Sequence, residues 1–299
     1  MKEISITEFL TKRFPTEGSA TAFFAEKRWD GKVTCPYCGS EKIYQGKGKQ
    51  PYKCSECNNK FTVKTGTIME GSHVDVRIWL FAMYIMGTSR KGISSIQFAK
   101  LLGVTQKTAW YMAHRIREAC NEYEKLKGIV EADETYAGGK EKNKHANHKL
   151  GGRGTANKTP ILGLKQCGGS FRGKVSDNTD IETMNKYIKA NVETESTIYT
   201  DEFSGYQELK NKGYNHTTVN HNKGNYVNGD VHTNSIESFW ALLKRGIYGT
   251  YHHVSKKHLQ RYVNEFAFKA SNGNFAFPFI NAVCLQANGN VLHYNQLIG

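Results

Sequence analysis

The sequence predicts an α/β protein in which a mixed sheet flanked by helices follows a small cysteine-stapled ribbon and a pair of helices. Three observations predict it. Two Cys-x-x-Cys pairs stand fifteen residues apart near the N-terminus, Cys35/Cys38 and Cys54/Cys57. A helical pattern is broken at Gly103 and resumes after Thr105. From Gly128 onward the chain reads strand, hairpin, helix, strand, strand, helix.

The cysteine pairs come first. Each Cys-x-x-Cys turn aims two thiolates at one point, and the fifteen residues between the pairs suffice for a hairpin that unites them. Four thiolates form the tetrahedral set that a structural zinc ion prefers, with no open coordination position for a substrate. Two redox-active Cys-x-x-Cys motifs are the competing reading, and the ribbon-like spacing favours zinc. The organisation expected from these signals is an N-terminal helical segment over 1–30 and a zinc ribbon over 31–66. Cys120, Cys167 and Cys284 are scattered and read as ordinary thiols.

Residues 72–125 are expected to be helical. Ile78 to Met86 is a continuous apolar run. Ser94 with Gln97 is a capping-box pattern, Ile96, Ala99 and Leu102 recur at helical spacing, Gly103 ends that helix and Thr105 caps the next. In the second helix Ala109, Met112 and Ile116 are expected to face inward, leaving Gln106, Lys107, Thr108, Tyr111 and Arg115 outward. Helix, glycine turn and helix with a polar, basic face is the helix-turn-helix pattern. A plain helical hairpin satisfies the same periodicity; the adjoining ribbon and the basic chain favour DNA binding, with Gln106, Lys107, Tyr111 and Arg115 as candidate contacts.

The order of elements over 128–275 is that of a ribonuclease H-like mixed sheet. Ile129 to Tyr136 forms the first strand and carries Glu131, Asp133 and Glu134. A polar stretch with six basic residues and one acidic, Gly138 to Lys158, reads as a basic loop. Two strands follow around Gly168-Gly169, then a helix over Ile181–Ala190, a strand ending at Asp201, another near His216, and a helix containing Glu237. In that layout Asp133, Asp201 and Glu237 converge from three separate elements. Hard carboxylate oxygens select magnesium or manganese, and two such ions can serve the attacking and leaving oxygens of a phosphoryl transfer. Each acid alone is ordinary on a protein surface; the joint pattern gives it meaning. Glu134 and Glu202 adjoin the candidates but point to opposite strand faces. Phe239, Trp240, Leu242 and Leu243 read as the core face of the last helix. Residues 276–299 are expected to be a C-terminal tail.

Composition agrees. The chain has 299 residues and a formal net charge of +14, the footprint of a polyanion partner such as double-stranded DNA. No signal peptide is visible, and Ile78–Met86 is far shorter than the roughly 20 residues of a membrane span, so a cytoplasmic, nucleoid-associated protein with no membrane partner is expected.

The segments CPYCGS, YKCSECNNKF, VEADETYAGGK, YTDEFSGY and HTNSIESFWALLKRGIYGTYHHVSKKHLQRYVNEFAFKASN carry a resemblance that spans nearly the whole chain. Through them the chain resembles the bacterial insertion-sequence transposases of the IS1595 family, the ISXO-type Asp-Asp-Glu group. Thirty-five residues separate Asp201 from Glu237, the spacing typical of such enzymes, and Lys244, followed by Arg245, lies seven residues beyond Glu237. The resemblance implies a DNA transposase: water attacks a phosphodiester at the element end, and the freed 3′-hydroxyl then attacks target DNA in line. It also implies that Lys244 meets DNA near the scissile phosphate, and that a homo-multimer brings two ends together. Some relatives carry asparagine in the third catalytic place, so Asn234, one turn before Glu237, competes with it as a metal ligand; a carboxylate binds a divalent cation more strongly than an amide, which favours Glu237. Two other readings remain on the residues: a nuclease of the same fold that cuts without joining, and a zinc-ribbon DNA-binding regulator without activity.

Overall fold

The computed structural model describes residues 4–46, 51–121, 124–139, 158–200, 213–218, 234–272 and 275–299. In chain order come helix α1 (Ile6–Glu8), a π-helical turn (Phe9–Arg13), α2 (Glu17–Trp29), strands β1 (Ile43–Gln45), β2 (Tyr52–Cys54) and β3 (Lys60–Phe61), and helices α3 (Val76–Thr88), α4 (Ser95–Leu102) and α5 (Gln106–Glu118). Then follow β4 (Ile129–Ala137), β5 (Thr159–Gln166), β6 (Phe171–Val175), α6 (Ile181–Asn191), β7 (Thr197–Thr200) and β8 (Asn215–Thr218). The chain continues with α7 (Asn234–Arg245), a second π-helical turn (Gly246–Thr250), α8 (Lys256–Asn272), α9 (Ala276–Leu285) and α10 (Tyr294–Ile298). The chain divides into two compact units, Met1–Asn121 with Asn272–Gly299, and Glu122–Ser271.

In the first unit, β1, β2 and β3 form an antiparallel ribbon. Its inner side chains Tyr52 and Phe61 pack on Trp29 at the end of α2. The Arg28 guanidinium donates to the carbonyls of Val63 and Thr65, both at 2.6 Å, and so ties that helix to the chain leaving the ribbon. Burial pulls Arg28 down to about 10, with the Glu70 charge opposing. At the other end of α2, Glu17 accepts the N–H groups of Val76 and Arg77 at 2.8 and 2.9 Å. A carboxylate there satisfies amides that have no partner within α3 and complements the helix dipole.

Residues 276–299 are not a tail. Phe279 of α9 lies fully buried against α3, where Gly87 has no side chain: a Cβ at that position would stand 3.0 Å from the Cβ of Phe279. The chain therefore returns to its N-terminal unit after completing the second. No local signal in the sequence reveals that, because an apolar helix near a terminus shows its own periodicity and not its partner.

The pair α4 and α5 is built as its caps dictate. Ser94 accepts from the Gln97 N–H at 3.3 Å, Gly103 takes φ +66°, and Thr105 accepts from the Thr108 N–H at 3.2 Å. Two expectations for this pair fail. Ile96 is 59% exposed, and Phe98 takes the inward place beside Ala99 and Leu102. Arg115 does not face outward: it is 3% exposed, donates to the Glu70 carbonyl at 2.6 Å and lies over the rings of Trp79 and Tyr111. Helix α5 is buried around its whole C-terminal half, so the rule of one polar face stops applying beyond its second turn.

The second unit is a five-stranded mixed sheet of order β6-β5-β4-β7-β8. Strands β4, β5 and β6 are antiparallel, and β4, β7 and β8 run parallel. Because side chains alternate along a strand, β4 divides its residues between two cores. Val130 and Ala132 join Leu162, Leu164 and Ile198 beneath α6, through Met184, Tyr187 and Ile188. On the opposite face Ala137, Ile161 and Phe171 meet Ile236, Phe239, Trp240 and Leu243 of α7 and Val263 and Phe266 of α8. Glu131 and Asp133 share this second face.

Candidate active site and metal centre

Among the described residues, one cluster of metal-binding type is complete. The sulfurs of Cys35, Cys38, Cys54 and Cys57 all lie within 4.8 Å of one another, with Cys35–Cys57 at 3.6 Å and Cys38–Cys54 at 3.5 Å. Sulfurs tetrahedrally arranged about zinc at its usual bond length stand about 3.8 Å apart, so the set fits that ion. The two halves repeat one geometry: the residue after each pair, Gly39 or Asn58, has a left-handed φ of +73° or +58°. The turn thereby aims N–H groups at sulfur, and the Tyr37 N–H reaches Cys35 Sγ at 3.4 Å. The Cys54 thiol is pulled down to about 6, first by the backbone N–H of Cys57, which favours the thiolate a metal needs. This is a structural zinc site.

The carboxylate site is built on β4 and α7. Asp133 stands mid-strand, with Gly163 of β5 directly opposite and Gly173 of β6 opposite Gly163. The row thus carries one side chain and two gaps on the face that α7 and α8 cover. A Cβ at Gly163 would lie 2.4 Å from Trp240 Cζ2, and one at Gly173 would lie 2.4 Å from Val263 Cγ1. The Trp240 indole occupies the first gap and donates from Nε1 to Asp133 Oδ2 at 3.0 Å. One carboxylate oxygen of Asp133 is held by this bond, which fixes how the group is turned.

Glu237 lies one turn before Trp240 on α7 and is exposed. At 100° per residue it projects about 60° from the Trp240 direction, on the polar side of the helix. Lys244 falls about 20° from Glu237 on the same stripe, and Asn234 about 60° further away from Trp240. Glu237 is therefore nearer the Asp133 side of the helix than Asn234. Lys244 is half-buried and Arg245 exposed, its Nε donating to the Ala241 carbonyl. Asp201, which directly follows β7, lies outside the described residues, as do Glu202 and most of the basic loop. The entry to that loop is described: the Tyr248 hydroxyl accepts from the Gly138 N–H and donates to its carbonyl, at 3.2 and 3.1 Å.

Of the candidate DNA contacts on α5, Gln106 and Lys107 are exposed. Gln106 reaches Ser95 at 3.1 Å and Lys107 lies over the Tyr294 ring. Tyr111 donates to the Leu292 carbonyl at 2.6 Å, so α10 and the chain before it cover part of the expected outward face. Trp240 is the residue that sequence reasoning missed. An aromatic at a core spacing gives no sign of a polar bond; the facing glycines at 163 and 173 are the available signal, and they speak only once the strand register is known.

Two outcomes follow for these sites. Metal analysis of the purified chain should find one zinc per molecule; Cys54→Ser should lose it and lower the melting temperature, and full stability without zinc would contradict the assignment. Gly163→Ala should push the indole out of its gap, at a cost of about 1–3 kcal/mol, and Trp240→Phe should remove the indole's bond to Asp133 at about 1.5–3 kcal/mol. Denaturant unfolding measures both, and the indole N–H proton resonance of Trp240 should move in Gly163→Ala; an unmoved resonance would contradict the packing described.

Comparison with known proteins finds relatives of both parts of the chain. Residues 125–271 match the ISXO2-like transposase domain, and residues 15–60 match the transposase zinc-ribbon domain. An uncharacterised protein in the transposable element ISH50 of Halobacterium salinarum is 32% identical over 273 residues, 86% of this chain and 92% of that protein. An uncharacterised transposase-like protein of Haemophilus influenzae is 28% identical over 103 residues, 33% of this chain and 78% of its own. Among solved structures, the crystal structure of the Mos1 strand transfer complex aligns with 63% of this chain and 74% of its own at 11% identity, with a TM-score of 0.24, too low to bear on the fold. Two domain matches in the expected order, and a relative similar over most of both chains, place the sequence: it belongs to the IS1595 family of insertion-sequence transposases.

Proposed function

We propose that the chain is a DNA transposase that binds the ends of an insertion sequence and catalyses strand cleavage and strand transfer on a ribonuclease H-like domain. The observation that carries this reading is the contact between α7 and β4: Trp240 orients Asp133, and Glu237 stands on the adjoining side of the same helix. Asp201, the next residue in sequence after β7, would supply a third carboxylate. These three acids would hold magnesium or manganese, and the donor set fits, because all three offer the hard oxygen such cations take. When bound, such ions supply charge stabilisation for the attacking and leaving oxygens of phosphoryl transfer.

The chain's own groups perform the rest. Lys244 and Arg245, on or next to the Glu237 stripe, neutralise phosphate at the scissile bond. Water attacks the phosphodiester at the element end and frees a 3′-hydroxyl; that hydroxyl attacks target DNA in line, and each leaving oxygen departs without a covalent enzyme intermediate. Helices α4 and α5 act as a helix-turn-helix through Gln106 and Lys107, with the buried Arg115 tying α5 to Glu70 and Trp79. Two ends must be joined, so the working form is a homo-multimer on double-stranded DNA. Among the described residues no helix is long and apolar enough to cross a membrane.

The test uses labelled duplexes carrying the inverted repeats that flank the gene, a plasmid target and magnesium. Wild-type protein should yield cleaved and joined products. Asp133→Asn, Asp201→Asn and Glu237→Gln should bind the duplex and leave it intact, whereas Asn234→Ala should still cut. Cleavage without joining would identify a nuclease, and binding alone by the wild type a regulator. Wild-type cutting by Glu237→Gln would remove Glu237 from the site.

A further inference from the structure

Two residues before Asp133, on the same face of β4, the side chain of Glu131 is 0% exposed. A buried carboxylate is costly unless its oxygens are matched. Here Oε2 accepts the backbone N–H of Ile236 at 2.8 Å, and Cys167 Sγ approaches Oε1 at 3.7 Å. Burial pushes the Cys167 thiol up, with the Glu131 charge adding to the effect, so the sulfur keeps the proton it turns toward the carboxylate. Lys165 is the cross-strand neighbour of Glu131 on β5.

Ile236 is the third residue of α7. Its N–H is one of the first-turn amides that no carbonyl within the helix can satisfy, and an anion there is favoured by the helix dipole and by a charge-assisted bond. Glu131 and Asp133 therefore grip α7 at two points, Ile236 and Trp240. The spacings agree: two residues of strand advance about 6.6 Å, and four residues of helix about 6 Å. Helix α7 is thus held parallel to β4, and Glu237 lies between the two levels at which the strand holds the helix.

We propose that Glu131 is a positioning residue of the active site, a carboxylate that binds no metal and instead sets the rotation and height of α7 so that Glu237 meets the same divalent cation as Asp133. The proposal rests on the reading of Asp133 and Glu237 as metal ligands. If α7 loses its grip at Ile236, Trp240 still holds the helix lower down, so the first turn, which carries Glu237, is released while the core remains. The effect falls on affinity for the cation and spares DNA binding and the zinc ribbon.

The experiment titrates the full-length protein with manganese and follows free Mn²⁺ by electron paramagnetic resonance, alongside DNA-end binding in EDTA and thermal melting. Glu131→Ala should weaken Mn²⁺ binding by about 10- to 100-fold with DNA-end affinity unchanged. Glu131→Gln keeps an acceptor oxygen and should show a smaller loss; it also serves if the alanine variant does not fold. Wild-type Mn²⁺ affinity in the folded variants would overturn the proposal, and so would a fall in melting temperature and DNA affinity with no change in Mn²⁺ affinity. Asp133→Asn is the control: if it too binds Mn²⁺ like the wild type, the metal-ligand reading itself has failed.

Discussion

Helix α7 lies close on β4 because the sheet row at Asp133 carries no side chain on β5 or, beyond it, on β6. Gly163 and Gly173 leave a trough, the indole of Trp240 fills the part beside Asp133, and Val263 fills the part beyond. An alanine at either place would collide with the helix above it. The close approach brings a ring nitrogen to 3.0 Å from the Asp133 carboxylate. Everything proposed about the site depends on this contact, since it decides which face of α7 looks toward Asp133.

The same contact explains how a basic protein can concentrate acids. The +14 charge serves to attract a polyanion, yet the face of β4 beneath α7 carries two carboxylates two residues apart. One of them, Glu131, is matched by the Ile236 amide of α7 and is a matter of architecture. The other, Asp133, is only partly buried and accepts the Trp240 indole. Burial and hydrogen-bond partners thus distinguish two acids on a single strand, and the proposed site uses only the less buried one.

Much of this was legible in the sequence, and what was not has physical reasons. The two cysteine pairs announce a zinc ribbon because ligand spacing is a local property. Strand β4 and helix α7 announce themselves by periodicity, and the resemblance to transposases singles out Asp133 and Glu237. The partnership of Trp240 with Asp133 is a matter of register between elements more than a hundred residues apart, and no local pattern encodes it. Arg115 misled because its polarity suggests solvent, whereas its guanidinium is buried, bonded to the Glu70 carbonyl through one nitrogen and laid over two aromatic rings. Residues 276–299 misled because a terminal segment shows no sign that it returns to pack on α3.

The most direct measurement is anomalous scattering from crystals of the full-length protein bound to an element end in the presence of manganese. A manganese peak bonded to the carboxylates of Asp133 and Glu237, with Trp240 Nε1 still on Asp133 and Glu131 outside the coordination sphere, is the expected result. A peak held by Asn234 in place of Glu237, or bonded to Glu131, would contradict it.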